Sequence, residues 1–203
     1  MTQNPASPQN TVIDPKRITA ALRVAYVTVG AAAFQAILYL YYALTLQAWQ
    51  MAALTIIVVI FGIFNIFSLR SIRKGKVEAG AWPIIIGVIL VIFALASLVS
   101  NVAAVSAINL IVLTLVISTQ TLPTKTIRPL FFASLLLGGL TASLDFLNLN
   151  YRLFVPAMQF VVSGITVGMI LAIFFFVIPQ ATSQIKSLQL KIALWTGSII
   201  VGV

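Results

Sequence analysis

Apolar runs of about twenty residues recur along this chain, each closed by a short polar or basic break, and that recurrence constrains the fold more than any single motif. A helix rises about 1.5 Å per residue and the hydrocarbon layer of a bilayer is about 30 Å thick, so each run has the length a spanning helix needs. We place spans at Leu22–Leu46, Met51–Leu69, Trp82–Ser100, Ala103–Thr119, Leu130–Asn148 and Phe154–Ile178, with a seventh run opening at Ile192. Only 7% of the residues are charged, against about 25% in soluble domains, so water is a poor solvent for such a surface and lipid a good one. The expected fold is all-α, a polytopic transmembrane helix bundle of six full helices in three hairpins plus the start of a seventh. The reading divides the chain into a polar N-terminal tail over residues 1–20, a six-helix transmembrane domain over 21–179, and a linker with an incomplete seventh helix over 180–203. The opening residues MTQNPASPQN are polar and uncharged, and the basic group Lys16, Arg17 and Arg23 leads into a long apolar run, so a cleaved signal peptide is not expected.

Charge sets the expected orientation, because lysine and arginine near helix ends stay preferentially on the cytoplasmic side. With the N-terminus cytoplasmic, Lys16, Arg17, Arg23, Arg70, Arg73, Lys74, Lys76, Lys125, Arg128, Lys186 and Lys191 all fall inside, and of the 12 basic residues only Arg152 falls outside. The expectation is therefore a multi-pass protein of the inner (plasma) membrane with a cytoplasmic N-terminus. Its outer connections are expected to be a few residues each and its inner ones, Arg70–Glu78 and Gln120–Pro129 among them, about ten.

Cysteine and histidine are both absent. That removes disulfides, thiolate chemistry, zinc or haem ligation by these side chains, and Ser-His or Cys-His catalysis. No catalytic residue, metal ligand or cofactor is expected. The net charge of +9 is distributed among membrane loops rather than interleaved with exposed aromatics on one face, so nucleic acid is not an expected partner; the lipid bilayer is.

Charged groups in mid-span would mark an ion or proton path, and the spans contain none. The nearest is Asp145, one turn from the outer end of the fifth span. Paired with Arg152 across the outer turn, and beside Asn148, Asn150 and Tyr151, it would bound a small ligand cleft; the plainer alternative is an interfacial loop whose charges reach the headgroups. Arg70, Arg73, Lys74 and Lys76 are candidate contacts for anionic lipid head groups, with a purely topological role as the alternative. Gln35, Asn65, Asn109 and Gln159 lie within spans, where such groups either line a pathway or hydrogen-bond between helices. Tyr39, Tyr41, Tyr42 and Trp49 read as interfacial belt residues, as do Tyr151 and Phe154. Gly62, Gly87, Gly138, Gly139, Gly164 and Gly168 are expected to let helices approach closely, the last two in a G-x-x-x-G spacing read as packing within the bundle.

The last twelve residues from Ile192 would span about 18 Å as a helix, short of the hydrocarbon thickness, and the expectation is an N-terminal portion of a longer polypeptide. The segment Ser187-Leu-Gln-Leu-Lys-Ile-Ala-Leu-Trp-Thr-Gly197 resembles the lead into the signalling transmembrane helix of bacterial receptors, the HAMP-containing histidine kinases and methyl-accepting chemotaxis receptors. The resemblance implies a seventh helix running outward, an eighth returning, cytoplasmic output modules after it, and a homodimer. It points to the membrane-embedded sensor or anchoring region of a bacterial signal transducer. The alternative is a fragment of a small transporter or permease for a neutral solute, with the polar span residues lining the route.

Overall fold

The computed structural model describes residues 15–147, 149–156, 158–165 and 167–168. They fall into two compact units divided after Pro156, each described by itself. The first unit is built from five helices: α1 (Pro15–Leu46), α2 (Trp49–Arg73), α3 (Val77–Leu98), α4 (Ala103–Thr121) and α5 (Thr124–Ser143). All five are long and apolar enough to cross a membrane, which is the architecture of a multi-pass membrane protein. In the second unit the described residues within 158–168 have helical backbone and include Gln159, Gly164 and Gly168. The sixth expected span from residue 169 onward and all of the seventh lie outside the described residues.

Local chemistry explains where the helices begin and end. Pro15 opens α1, where its missing N–H would have had no partner and its fixed φ suits the first turn. Gln47, left-handed at φ 50°, ends α1. The close of α2 is a Schellman motif: Gly75 takes φ 82°, its N–H donates to the Ile72 carbonyl at 2.9 Å, and the Lys76 N–H donates to Ser71 at 3.1 Å. Pro123 follows the end of α4, where a residue without an N–H cannot continue the helix.

Two expectations about the connections are corrected here. The basic breaks are not ten-residue loops, because α2 runs through Arg70 and Arg73 and only residues 74–76 separate it from α3. Likewise α4 and α5 are separated by Leu122 and Pro123 alone, and α5 begins at Thr124, six residues before the expected span. The physical reason is that polar and basic residues at a membrane interface extend a helix as readily as they interrupt hydropathy; Pro129 lies inside α5 near its start, where the freed carbonyl of Lys125 is close to water. The same effect starts α1 inside the stretch read as tail. Nor are the hairpins isolated, since each helix packs along its length on the next, and α1 also reaches α3 and α4.

The core follows from spacing. On α2 the buried residues Met51, Leu54, Val58, Phe61, Asn65, Ser68 and Ile72 alternate steps of three and four, the seam of a helix gripped on one side. Facing it, α1 buries Ala21, Ala25, Thr28 and Ala32, small enough for the backbones to close up. Between α2 and α3 the close approach is at Gly80, where a Cβ would stand 2.8 Å from the Ser68 carbonyl, and at Gly87, where it would fall on the Phe61 ring. Gly138 plays that part for α5 against α4, with a Cβ only 2.7 Å from Ile111 Cδ1. Gly62 has an ordinary contact, 3.8 Å from Ala32 Cβ, and around Gly139 no atom lies within 4 Å, so these two are not the close-packing glycines expected of them. Outward faces carry Phe34, Ile37, Leu44, Ile56, Phe64 and Leu136, large apolar side chains whose exposure suits lipid and not water.

Candidate functional site

Where α3, α4 and α5 come together at one end of the bundle, the two charges singled out in the sequence meet. Arg152 Nη2 lies 2.6 Å from Asp145 Oδ1, with the arginine side chain 4% and the aspartate side chain 27% exposed. Each member also holds helix ends. The guanidinium donates through Nη2 to the carbonyls of Ala96 and Val99 at 2.7 Å each, and through Nη1 to that of Leu144 at 2.7 Å. Ala96 and Val99 belong to the last turn and C-cap of α3, and Leu144 is the C-cap of α5. These are the orphan carbonyls and negative dipole ends that a cation satisfies.

Asp145 does the converse for α4. Its Oδ1 accepts from the Asn101 N–H at 3.2 Å and its Oδ2 from the Ala103 N–H at 3.1 Å, at the positive start of that helix. The α4 N-cap is Val102, whose side chain has no oxygen to offer, so Asp145, 42 positions beyond Ala103, supplies the cap. The chain between them is pinned as well: Leu153 N–H donates to Leu98 at 2.9 Å, Ser100 N–H to Leu153 at 3.0 Å, and Gln50 Nε2 on α2 to the Tyr151 carbonyl at 2.7 Å. The expected pairing across the turn is thus present. Its geometry is that of a clamp on three helix ends, and Arg152 has spent its donors on the chain itself except for a buried Nε. Asn150 is exposed beside it, and Asn148 lies outside the described residues.

The opposite end carries Arg17, Arg23, Arg70, Arg73, Lys74, Lys76, Lys125 and Arg128. Arg17 joins three helices there, donating to the Thr121 carbonyl that closes α4 at 2.8 Å and standing 3.5 Å from Glu78 at the start of α3. Arg73 donates to the Tyr26 hydroxyl and lies 5.8 Å from the centre of that ring, and Arg70 stands 5.8 Å over Phe67. Both guanidiniums are thus laid on aromatic faces, as suits cations at a membrane boundary. Lys74 and Lys76 are exposed in the turn. Sequence reasoning did not find Arg17–Thr121 or Tyr26–Arg73, since both depend on which helices become neighbours.

Between the ends the described part of the five helices carries no charged side chain. The polar span candidates separate: Gln35 and Asn109 are half-buried, whereas Asn65 is fully buried with neither amide atom hydrogen-bonded. Tyr39 corrects an expectation, being buried in the core rather than part of an interfacial belt; Tyr41 and Trp49 are exposed as a belt requires, and Tyr42 packs edge-on against Tyr41 with ring centroids 5.6 Å apart. Among the described residues no group of three or more acidic side chains could hold a metal ion. No family model, no curated protein and no solved structure matches the chain.

Proposed function

We propose that this region is the membrane-embedded sensing or anchoring part of a bacterial signal transducer, set in the inner (plasma) membrane with its N-terminus and basic end cytoplasmic. The orientation is supported by eight basic side chains at the end where α1 begins against a single arginine, itself neutralised, at the other. The functional reading is carried by the Arg152–Asp145 clamp. The only charges at that end, among the described residues, are consumed in holding helix termini, and none lies between the ends to move an ion or proton. What such a bundle can transmit is a change in helix packing, passed to output modules on the cytoplasmic side, with two copies acting as a homodimer.

The test is the native protein itself. Detected in membranes of its source by an antibody to the Asn150 turn, it is expected to be larger than the 21.9 kDa of this chain and to carry a cytoplasmic signalling module. A native species of 21.9 kDa with no signalling partner at stoichiometric yield would overturn the reading.

One observation favours a second reading, passage of a small neutral solute: the buried, unpartnered amide of Asn65. Uptake of glycerol or urea into proteoliposomes above the rate of empty vesicles, and its loss in Asn65→Leu, would support that reading against the first.

A further inference from the structure

The interior of the α1–α2–α3 seam holds a polar pair that the proposed function does not use. Asn65 is 0% exposed and both its Nδ2 and its Oδ1 lack a hydrogen-bond partner; Ser68, 2% exposed and one turn away on the same face of α2, has an unpartnered Oγ. Ser68 shares that state with Ser106 and Thr114 and differs from the other buried hydroxyls of the helices. Thr28, Ser118, Thr121, Ser134 and Thr141, all buried in helices, donate back to a carbonyl three or four residues earlier, and Ser68 does not.

The helix register shows what surrounds the pair. Gly80 of α3 sits against Ser68, and Gly87 against Phe61, so in this antiparallel pair Asn65 comes level with Pro83. Proline brings no N–H, which leaves the Ala79 carbonyl with an acceptor position to spare on the rim of the seam. On the other side Gly62 meets Ala32, which sets Asn65 level with the Thr28 turn of α1; the Thr28 hydroxyl donates to Ala25 at 3.0 Å and its oxygen remains able to accept.

From this arrangement we propose that Asn65 and Ser68 form an internal binding site for one small neutral molecule that both donates and accepts hydrogen bonds, and that its occupant is a resident water. The chemistry selects for that class. An amide offers two donors and an acceptor, a hydroxyl offers one of each, and a water satisfies two to four such groups at once. No described charged side chain lies at this depth, so an ion would have no compensating charge. Leaving an amide and a hydroxyl dry in an apolar seam is costly, and bridging them through one water removes that cost. The bridge also places an exchangeable hydrogen-bond partner beside the proline of α3, the position at which that helix bends most easily.

Solid-state NMR on the full chain in lipid bilayers, with side-chain amides ¹⁵N-labelled, tests the site without any substitution. A cross-peak between a slowly exchanging water and the Asn65 amide protons is expected; an Asn65 signal with no water contact overturns the proposal. Ser68→Ala is expected to abolish that cross-peak, and an undiminished one would show that Ser68 is not part of the site. Asn65→Leu gives the thermal counterpart. It is expected to lower the unfolding temperature, because a satisfied network is lost, whereas a raised unfolding temperature would mark a dry, unsatisfied amide and contradict the site.

Discussion

Arg152 and Asp145 stand 2.6 Å apart while serving opposite poles of neighbouring helices, the arginine on the carbonyl ends of α3 and α5 and the aspartate on the amide end of α4. Each charge therefore meets both its counter-ion and a helix dipole of favourable sign, which is how a nearly buried guanidinium is accommodated beside a bilayer.

Removing the arginine strands the carboxylate and uncovers three carbonyls. Arg152→Leu is expected to destabilise the bundle by about 3–5 kcal/mol, read from denaturant unfolding in detergent micelles. Arg152→Lys should restore only a minor part, because one ammonium cannot reproduce a planar fork spread over Leu144, Ala96, Val99 and Asp145. Full rescue by lysine would mean that charge alone, and not the fork, holds this end.

Asp145→Asn keeps the shape and removes the charge. A loss of about 1–3 kcal/mol is expected, smaller than for Arg152→Leu, since an amide oxygen can accept from only part of the α4 start. In a double-mutant cycle the two substitutions should be strongly non-additive, and additivity within about 0.5 kcal/mol would count against the clamp.

At Gly80 a Cβ would meet the Ile72 side chain and the Ser68 carbonyl, and the carbonyl cannot move aside, so Gly80→Val should cost about 1–3 kcal/mol or more in the same assay. Gly139→Ala, with open space around it, is expected to stay within about 0.5 kcal/mol of the parent. Equal effects at the two sites would show that α3 does not lie against Ser68.

The Arg17–Glu78 pair should contribute little. With the side chains 35% and 57% exposed, water and salt screen it, and Glu78→Gln is expected to cost less than about 1 kcal/mol. Arg17→Gln should cost more than Glu78→Gln, because it also removes the hydrogen bond to Thr121 that closes α4. The reverse order would put the weight on the ion pair.

Much of this was legible in the sequence, and for a physical reason. Lipid rewards long apolar runs so strongly that α2 and α4 lie within a few residues of their expected spans, and scarcity of charge made Asp145 and Arg152 conspicuous enough to pair across their turn. Hydropathy is blind to helix at an interface, where polar residues keep the backbone wound; hence Thr124–Pro129 and Arg70–Arg73 read as loop and are helix. Gly80 lies outside the expected span that opens at Trp82 and is not among the glycines singled out, although it is a close contact of α3 with α2. Burial side by side was the other gap. Tyr39 lies beside Tyr41 and Tyr42 in sequence, and only the helix rotation sends it into the core while Tyr41 faces outward. The clamp's reach to Ala96, Val99 and Ala103 depends on backbone atoms, which carry no sequence signal.

The central claim, a multi-pass bundle with its basic end cytoplasmic and its Arg152 end outside, is tested most directly by cysteine accessibility, for which a chain without cysteine is well suited. Single substitutions Lys74→Cys, Lys125→Cys and Asn150→Cys would be treated in intact cells with a membrane-impermeant maleimide. Asn150→Cys is predicted to label at once, and Lys74→Cys and Lys125→Cys only after permeabilisation. Labelling of Lys74→Cys or Lys125→Cys in intact cells, with Asn150→Cys protected, would contradict the orientation, and labelling of all three in intact cells would contradict the membrane-spanning bundle itself.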